Sequence, residues 1–234
     1  MKRTVLFMSV AVVLMSYASM SSAAAVIADG QSQWRIVMSA ASSAEVRHAA
    51  AELQKNLRLK APAAAFEISD RAETVADHAI RLVADGTMPK EAWRITAGSG
   101  TIVIAGGSPR GVLNGVYEFL ERFVGCRRYG LEMRRLPTSG DLVIADGLDV
   151  AGRPAFLYRD IYYLSTGIPR DAYYDSRAWN KLFSYDAPAK YGFSEMTGSP
   201  SGGHTNLAYA ADFPEDISWR SEEHTSELQS RSDL

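Results

Sequence analysis

The stretch Gly106-Gly107-Ser108-Pro109-Arg110-Gly111 holds the residue types most directly suited to chemistry in this sequence. A glycine-rich turn between a strand and a helix can present free amides to a phosphate. The common form of such a loop adds a Lys and a Ser or Thr that reach the phosphates and a metal ion. That pair is missing here, and Pro109 removes one of the amides that would do the binding. No G-x-G-x-x-G fingerprint is present, and the preceding strand reads as half of a hairpin rather than part of a parallel unit. The glycines are better explained by a helix lying close to a sheet.

Other reactive residue types are sparse. The single cysteine, Cys126, excludes an intrachain disulfide and is too few for a metal cluster, so it is expected to be a small buried side chain. No metal site and no cofactor are expected. His224 stands beside Glu222 and Glu223, but it lies in the polar stretch from Arg220 to Leu234, which has neither helical nor strand periodicity. Within it, "RSEEHTSELQS" matches the translation of a common sequencing-library adapter. Residues 220–234 are therefore expected to be a disordered artefact, and none of them is a site candidate.

The elements that would position any site can be read along the chain. Lys2 and Arg3 precede an apolar run, Thr4 to Met15, too short to span a bilayer, and small residues follow at Ser21 to Ala25. Residues 1–25 read as a signal peptide, cut after Ala23 or Ala25, so the protein is expected to be secreted or periplasmic with no stable membrane span. Trp34 to Ser39 reads as a strand. A helix follows, with Ser42 and Glu45 as a capping box, Val46, Ala50, Leu53 and Leu57 on one face, and Pro62 beyond its end. His48 falls off that stripe and is expected in solvent. Phe66 to Ser69 and His78 to Asp85 are further strands. Ala92 to Ala97 and Thr101 to Ala105 flank a Gly98-Ser99-Gly100 turn as a hairpin. Ser108 then caps a helix with Pro109 at its first position, Gly111 and Gly115 allow close packing, and Gly125 is placed as a left-handed stop.

These elements make an α+β domain, a sheet with two packed helices, over residues 26–150. At 234 residues, 47% hydrophobic and 22% charged with a net charge of -2, the chain has ample material for a core, and no basic run points to nucleic acid. From Pro154 the apolar run "PAFLYRDIYYL", a helical "DAYYDSRAWNKLF" and a loop ending in "GGHTN" read as the opening of a parallel α/β unit.

The segment "IVIAGGSPRGVLNGVYEFLERFVGCRRYG", with "PAFLYRDIYY" downstream, resembles the N-terminal accessory domain of alpha-glucuronidase-type glycoside hydrolases, and is similar to the domain preceding the barrel in beta-hexosaminidases. The resemblance covers about Trp34 to Tyr163. It implies a carbohydrate-active enzyme, acting in polysaccharide breakdown, whose accessory domain does no chemistry. It also implies a following (β/α)8 barrel, of which residues 154–219 would be an incomplete start. No catalytic carboxylate pair can be assigned, and the chain alone is expected to be inert. The partner implied is an oligo- or polysaccharide, and the other reading is a non-catalytic carbohydrate-binding protein.

By the same resemblance, Arg159 and Asp160 in the first barrel strand, and His204 in a later loop, are candidate substrate-binding residues. A planar guanidinium suits two sugar or carboxylate oxygens. A structural ion pair at the domain junction is the plainer role for Arg159 and Asp160. Tyr158, Tyr162, Tyr163 and Trp179 could stack on sugar rings or simply pack. Arg128 stands where the resemblance leads one to expect an aromatic residue.

Overall fold

The computed structural model describes residues 23–70, 78–156, 159, 169–182 and 188–192. The runs 1–22, 71–77 and 193–234, with Tyr158, Asp160, Tyr162, Tyr163 and His204 among the remainder, lie outside the described residues.

Six strands build a mixed sheet: β1 (Ala23–Ile27) stands apart, and β2 (Arg35–Val37), β3 (Ile68–Ser69), β4 (Ala79–Ala84), β5 (Trp93–Gly98), β6 (Thr101–Gly106) and a later strand β10 (Asp149–Gly152) join in the order β10-β5-β6-β4-β2-β3. The β5–β6 pair is the expected hairpin. Ser99 and Gly100 take φ of 50° and 72°, the paired positive values of the turn whose twist matches a two-residue hairpin. β6 also runs parallel to β4, and β4 parallel to β2, a neighbourhood the hairpin pattern did not foretell. Ile102 and Ile104 of β6, Ile95 of β5 and Ile80 of β4 are fully buried on one face. Arg94 and Asp149 on the other face are an exposed ion pair.

Two helices cover the buried face. Helix α1 (Ala44–Lys60) buries Val46, Ala50, Leu53 and Leu57, the expected stripe, and stops before Pro62. Its start departs from the expected capping box. Ser43, not Ser42, is the N-cap residue, and its side chain makes no cap hydrogen bond among the described residues. Helix α2 (Pro109–Phe119) starts as read: the Ser108 hydroxyl accepts from the Gly111 amide at 3.2 Å. A π turn over Leu120–Val124 extends it, and Gly125 at φ 87° ends it. The wider turn keeps Leu120 and Val124 buried while the chain leaves the helix.

A one-hydrogen-bond difference between the two caps sets an expectation for stability. Ser108→Ala should lower the free energy of unfolding by about 1 kcal/mol, whereas Ser43→Ala should change it little, as measured by denaturant melts. Equal losses in the two variants would contradict these cap assignments.

A ribbon of β7 (Arg127–Arg128) and β8 (Arg134–Arg135) follows, then β9 (Leu142–Ala145), which pairs antiparallel with β1. Helix α3 (Arg170–Trp179) comes next, and its Tyr174, Ala178 and Trp179 join the same core as α1 and α2. Phe156 and Arg159, in the run expected as a first barrel strand, take no strand conformation, and most of that run lies outside the described residues. Among the described residues no barrel is seen, and none of their helices is long and apolar enough to cross a membrane. Cys126 is buried, and that burial pushes its thiol up to about 12.

Candidate functional site

The glycine turn between β6 and α2 is occupied by its own chain. The Gly107 amide donates to the Ala92 carbonyl at 3.0 Å, and the Val112 amide to the Ser108 carbonyl at 3.0 Å. The Ser108 hydroxyl donates to the Lys90 carbonyl at 2.5 Å. A Cβ at Gly107 would sit 1.9 Å from the Pro89 carbonyl oxygen, and one at Gly111 would sit 2.6 Å from that of Ala92. The concave side is thus filled by the backbone of residues 88–92. A phosphate has neither the room nor the amides it needs.

That same loop carries Glu91, 5% exposed, into a buried charge cluster. Its Oε1 accepts from Arg110 Nε at 2.8 Å, and its Oε2 accepts from Arg159 Nη2. Arg110, 3% exposed, also donates to the carbonyls of Tyr191 and Gly192, each at 3.1 Å, and to that of Leu182 at 2.5 Å. Arg159 Nε donates to the Lys181 carbonyl at 2.7 Å, and its Nη1 to the Phe156 carbonyl. Burial pulls the Arg110 pKa below its usual value, and the Glu91 carboxylate opposes that pull. Each oxygen of Glu91 accepts from a guanidinium, and the side chain is 5% exposed, so this carboxylate is held between two cations inside the protein rather than presented to a substrate. What the geometry does is fasten the start of α2, and the loop before it, to the backbone of Lys181, Leu182, Tyr191 and Gly192.

Three further contacts hold α3 and the lysine just after it. Arg128 pairs with Asp175 of α3 and donates to the carbonyls of Gly130 at 3.1 Å and Leu131 at 2.9 Å. This explains the arginine at an expected aromatic position: it packs its stem and anchors α3 by charge. Lys181 lies 2.9 Å from Glu118 of α2. The Tyr117 and Trp179 rings meet at 4.5 Å between centroids, so Trp179 is packed and not presented for stacking on a sugar.

His48 makes a fourth contact and corrects the expectation of a solvated residue. It is half-buried, its ring lies 5.0 Å edge-on to that of Tyr191, and its Nε2 has no hydrogen-bond partner among the described residues. Burial lowers its pKa, against the raising effect of Glu52 and Asp175. Since the folded value is depressed, the neutral ring's contribution is complete above the unfolded value of about 6.5 and is lost as pH falls below it. Asp175, whose pKa burial raises, acts in the opposite sense on acidification. His48→Gln should therefore flatten the fall of the urea midpoint between about pH 7 and pH 5. A wild-type slope retained in that variant would contradict it.

Of the candidate residues, Arg159 enters this cluster through Glu91, while Asp160 and His204 lie outside the described residues. Glu91, Arg110 and Asp175 were missed in the sequence. The one available signal was a carboxylate set in "PKEAW", before an apolar strand. A separate cleft of about 420 Å³ opens where β2 and β4 end at the start of α1, lined by Val37, Ser39, Ser43, Arg81 and Pro109 among others, with no carboxylate or imidazole among the described residues that line it. Among the described residues, no group of three or more His, Cys, Asp or Glu is placed to hold a metal ion.

Comparison with known proteins places this geometry in context. No curated protein matches the chain. Similar solved structures include a GH20 exo beta-N-acetylglucosaminidase from Vibrio harveyi in complex with N-acetylglucosamine, at 15% identity and TM-score 0.45, covering 69% of this chain and 22% of that one. A GH20 beta-N-acetylhexosaminidase from Streptomyces coelicolor A3(2) gives 18% identity and TM-score 0.46, with 69% and 32% covered. A GH115 4-O-methyl-alpha-glucuronidase with specificity for decorated arabinogalactans gives 15% and 0.41, with 58% and 19% covered. The chain thus spans less than a third of the length of the two GH20 enzymes and about a fifth of the glucuronidase. Residues 22–121, from β1 through α2, match the family described as glycosyl hydrolase family 20, domain 2, which supports a glycoside hydrolase accessory domain.

Proposed function

We propose that this domain is the non-catalytic support of an exported glycoside hydrolase, hexosaminidase- or alpha-glucuronidase-like, that acts in polysaccharide breakdown. The reacting carboxylates would be supplied by residues outside the domain. The observation that carries the reading is the family match over residues 22–121. The burial of Glu91 between Arg110 and Arg159 agrees with a domain whose charged groups hold its own chain together. The test is turnover of chromogenic N-acetyl-β-glucosaminide and glucuronide by the full chain. No release above buffer is expected, and saturable release would contradict the reading.

Export is part of the proposal, and β1 bears on where the leader would be cut. Ala24 and Ala25 pair with Ile144 and Val143, and the Trp34 indole donates to the Ala25 carbonyl at 2.8 Å. A cut after Ala25 would remove those contacts, so N-terminal sequencing of the exported protein should begin at or before Ala24. A mature chain starting at Val26 would contradict that cut site.

A further inference from the structure

The β7–β8 ribbon places like charges directly opposite each other. Arg127 pairs in register with Arg135, and Arg128 with Arg134. Such pairs repel, so each needs a counter-charge to be tolerated. Arg128 has Asp175 and Arg127 has Glu121, while neither Arg134 nor Arg135 has a partner among the described residues.

Side chains two apart share a strand face, so Arg127 and Tyr129 lie together, as do Met133 and Arg135. The Tyr129 amide bonds to the Met133 carbonyl at 2.9 Å, which brings the two halves side by side. The Arg127 guanidinium sits 5.4 Å from the centre of the Tyr129 ring. All four side chains are exposed, Tyr129 at 56% and Met133 at 69%. The result is a ribbon face that carries an aromatic ring with one guanidinium against it and, at the cross-strand position beside Arg127, a second arginine without a carboxylate partner among the described residues.

We propose that this ribbon face binds a carboxylate-bearing polysaccharide, a polyuronate, with the apolar face of one sugar ring on Tyr129 and its carboxylate across Arg127 and Arg135. Cross-strand partners stand about 5 Å apart at Cα, so both guanidinium groups can reach one carboxylate. The ring supplies a stacking surface that a bare anion would not use. The preference for a glycan over an acidic peptide rests on the carbohydrate reading above. The site is distinct from the buried Glu91 cluster.

The test is native affinity electrophoresis of the full chain in gels holding polygalacturonate, its methyl-esterified form, or neutral xylan. Retardation by polygalacturonate alone is expected. Arg135→Ala and Tyr129→Ala, both at exposed positions, should each weaken it about tenfold or more, in line with losing a charged hydrogen-bond donor or a ring contact. Arg135→Lys should restore only part of the binding, because an ammonium cannot form the two-pronged contact. No retardation by polygalacturonate, or full retardation of the Tyr129 variant, overturns the proposal. Equal competition by poly-glutamate overturns it in favour of an acidic protein partner. Retardation by xylan but not by polygalacturonate overturns the carboxylate site while leaving the carbohydrate reading of the whole domain intact.

Discussion

Glu91→Ala is expected to destabilise the protein by on the order of 3–5 kcal/mol, the usual loss when one member of a buried ion pair is removed. The cause is the charge left behind. Arg110 is 3% exposed and cannot turn to water, and Arg159 loses the same carboxylate. Against the 5–15 kcal/mol of a typical domain this is a large fraction. Glu91→Gln, which keeps the shape and one acceptor oxygen, should lose less, so the difference between the two variants separates packing from charge. Denaturant midpoints provide the measurement. A Glu91→Ala loss under about 1 kcal/mol would mean that the cluster is solvated and holds nothing.

Gly107→Ala should be comparably severe for a purely steric reason. The added Cβ meets the Pro89 carbonyl oxygen at 1.9 Å and its carbon at 2.5 Å, and backbone cannot rotate away as a side chain can. The loss is expected at or above the upper end of the ~1–3 kcal/mol typical of overpacking. The loop that must move also carries Glu91, so the double variant with Glu91→Ala should lose less than the sum of the singles. Gly86→Ala is the matched comparison: its Cβ meets nothing within 4 Å, and a change within about 0.5 kcal/mol is expected. Equal melting temperatures for the Gly107 and Gly86 variants would contradict the close approach.

Local features of this fold were legible in the sequence because short-range chemistry sets them. Ser99-Gly100 makes the hairpin turn, Ser108 the cap, Gly125 the stop, Gly111 the close approach of α2 to the Lys90 and Ala92 carbonyls, and Gly115 its contact with Trp93 and Ile104. The first helix was read one residue off at its cap, since Ser42 and Ser43 offer the same hydroxyl and only the path from β2 decides between them. Long-range features were not legible. A strand's alternation names its buried face and not its neighbour, so the parallel pairing of β6 with β4 was hidden behind the hairpin. The cluster joining Glu91, Arg110 and Arg159 draws on residues up to 68 positions apart, and none is unusual in its own stretch. Arg128 was visible as a departure, and only the placement of Asp175 on α3 gives it a reason.

We propose that the charges around Glu91 bind protein and not sugar, the chemistry being carried out outside the domain. Hydrogen–deuterium exchange at the amides of Leu182, Tyr191 and Gly192, with and without added glucuronate or N-acetylglucosamine, tests this most directly. These amides are hydrogen-bonded within the fastened segment, to the carbonyls of Arg177, Pro188 and Ala189. The account predicts protection without sugar and no change on adding it. Rapid exchange in the free protein, slowed by either sugar, would contradict it and make Arg159 and Arg110 ligand-binding groups.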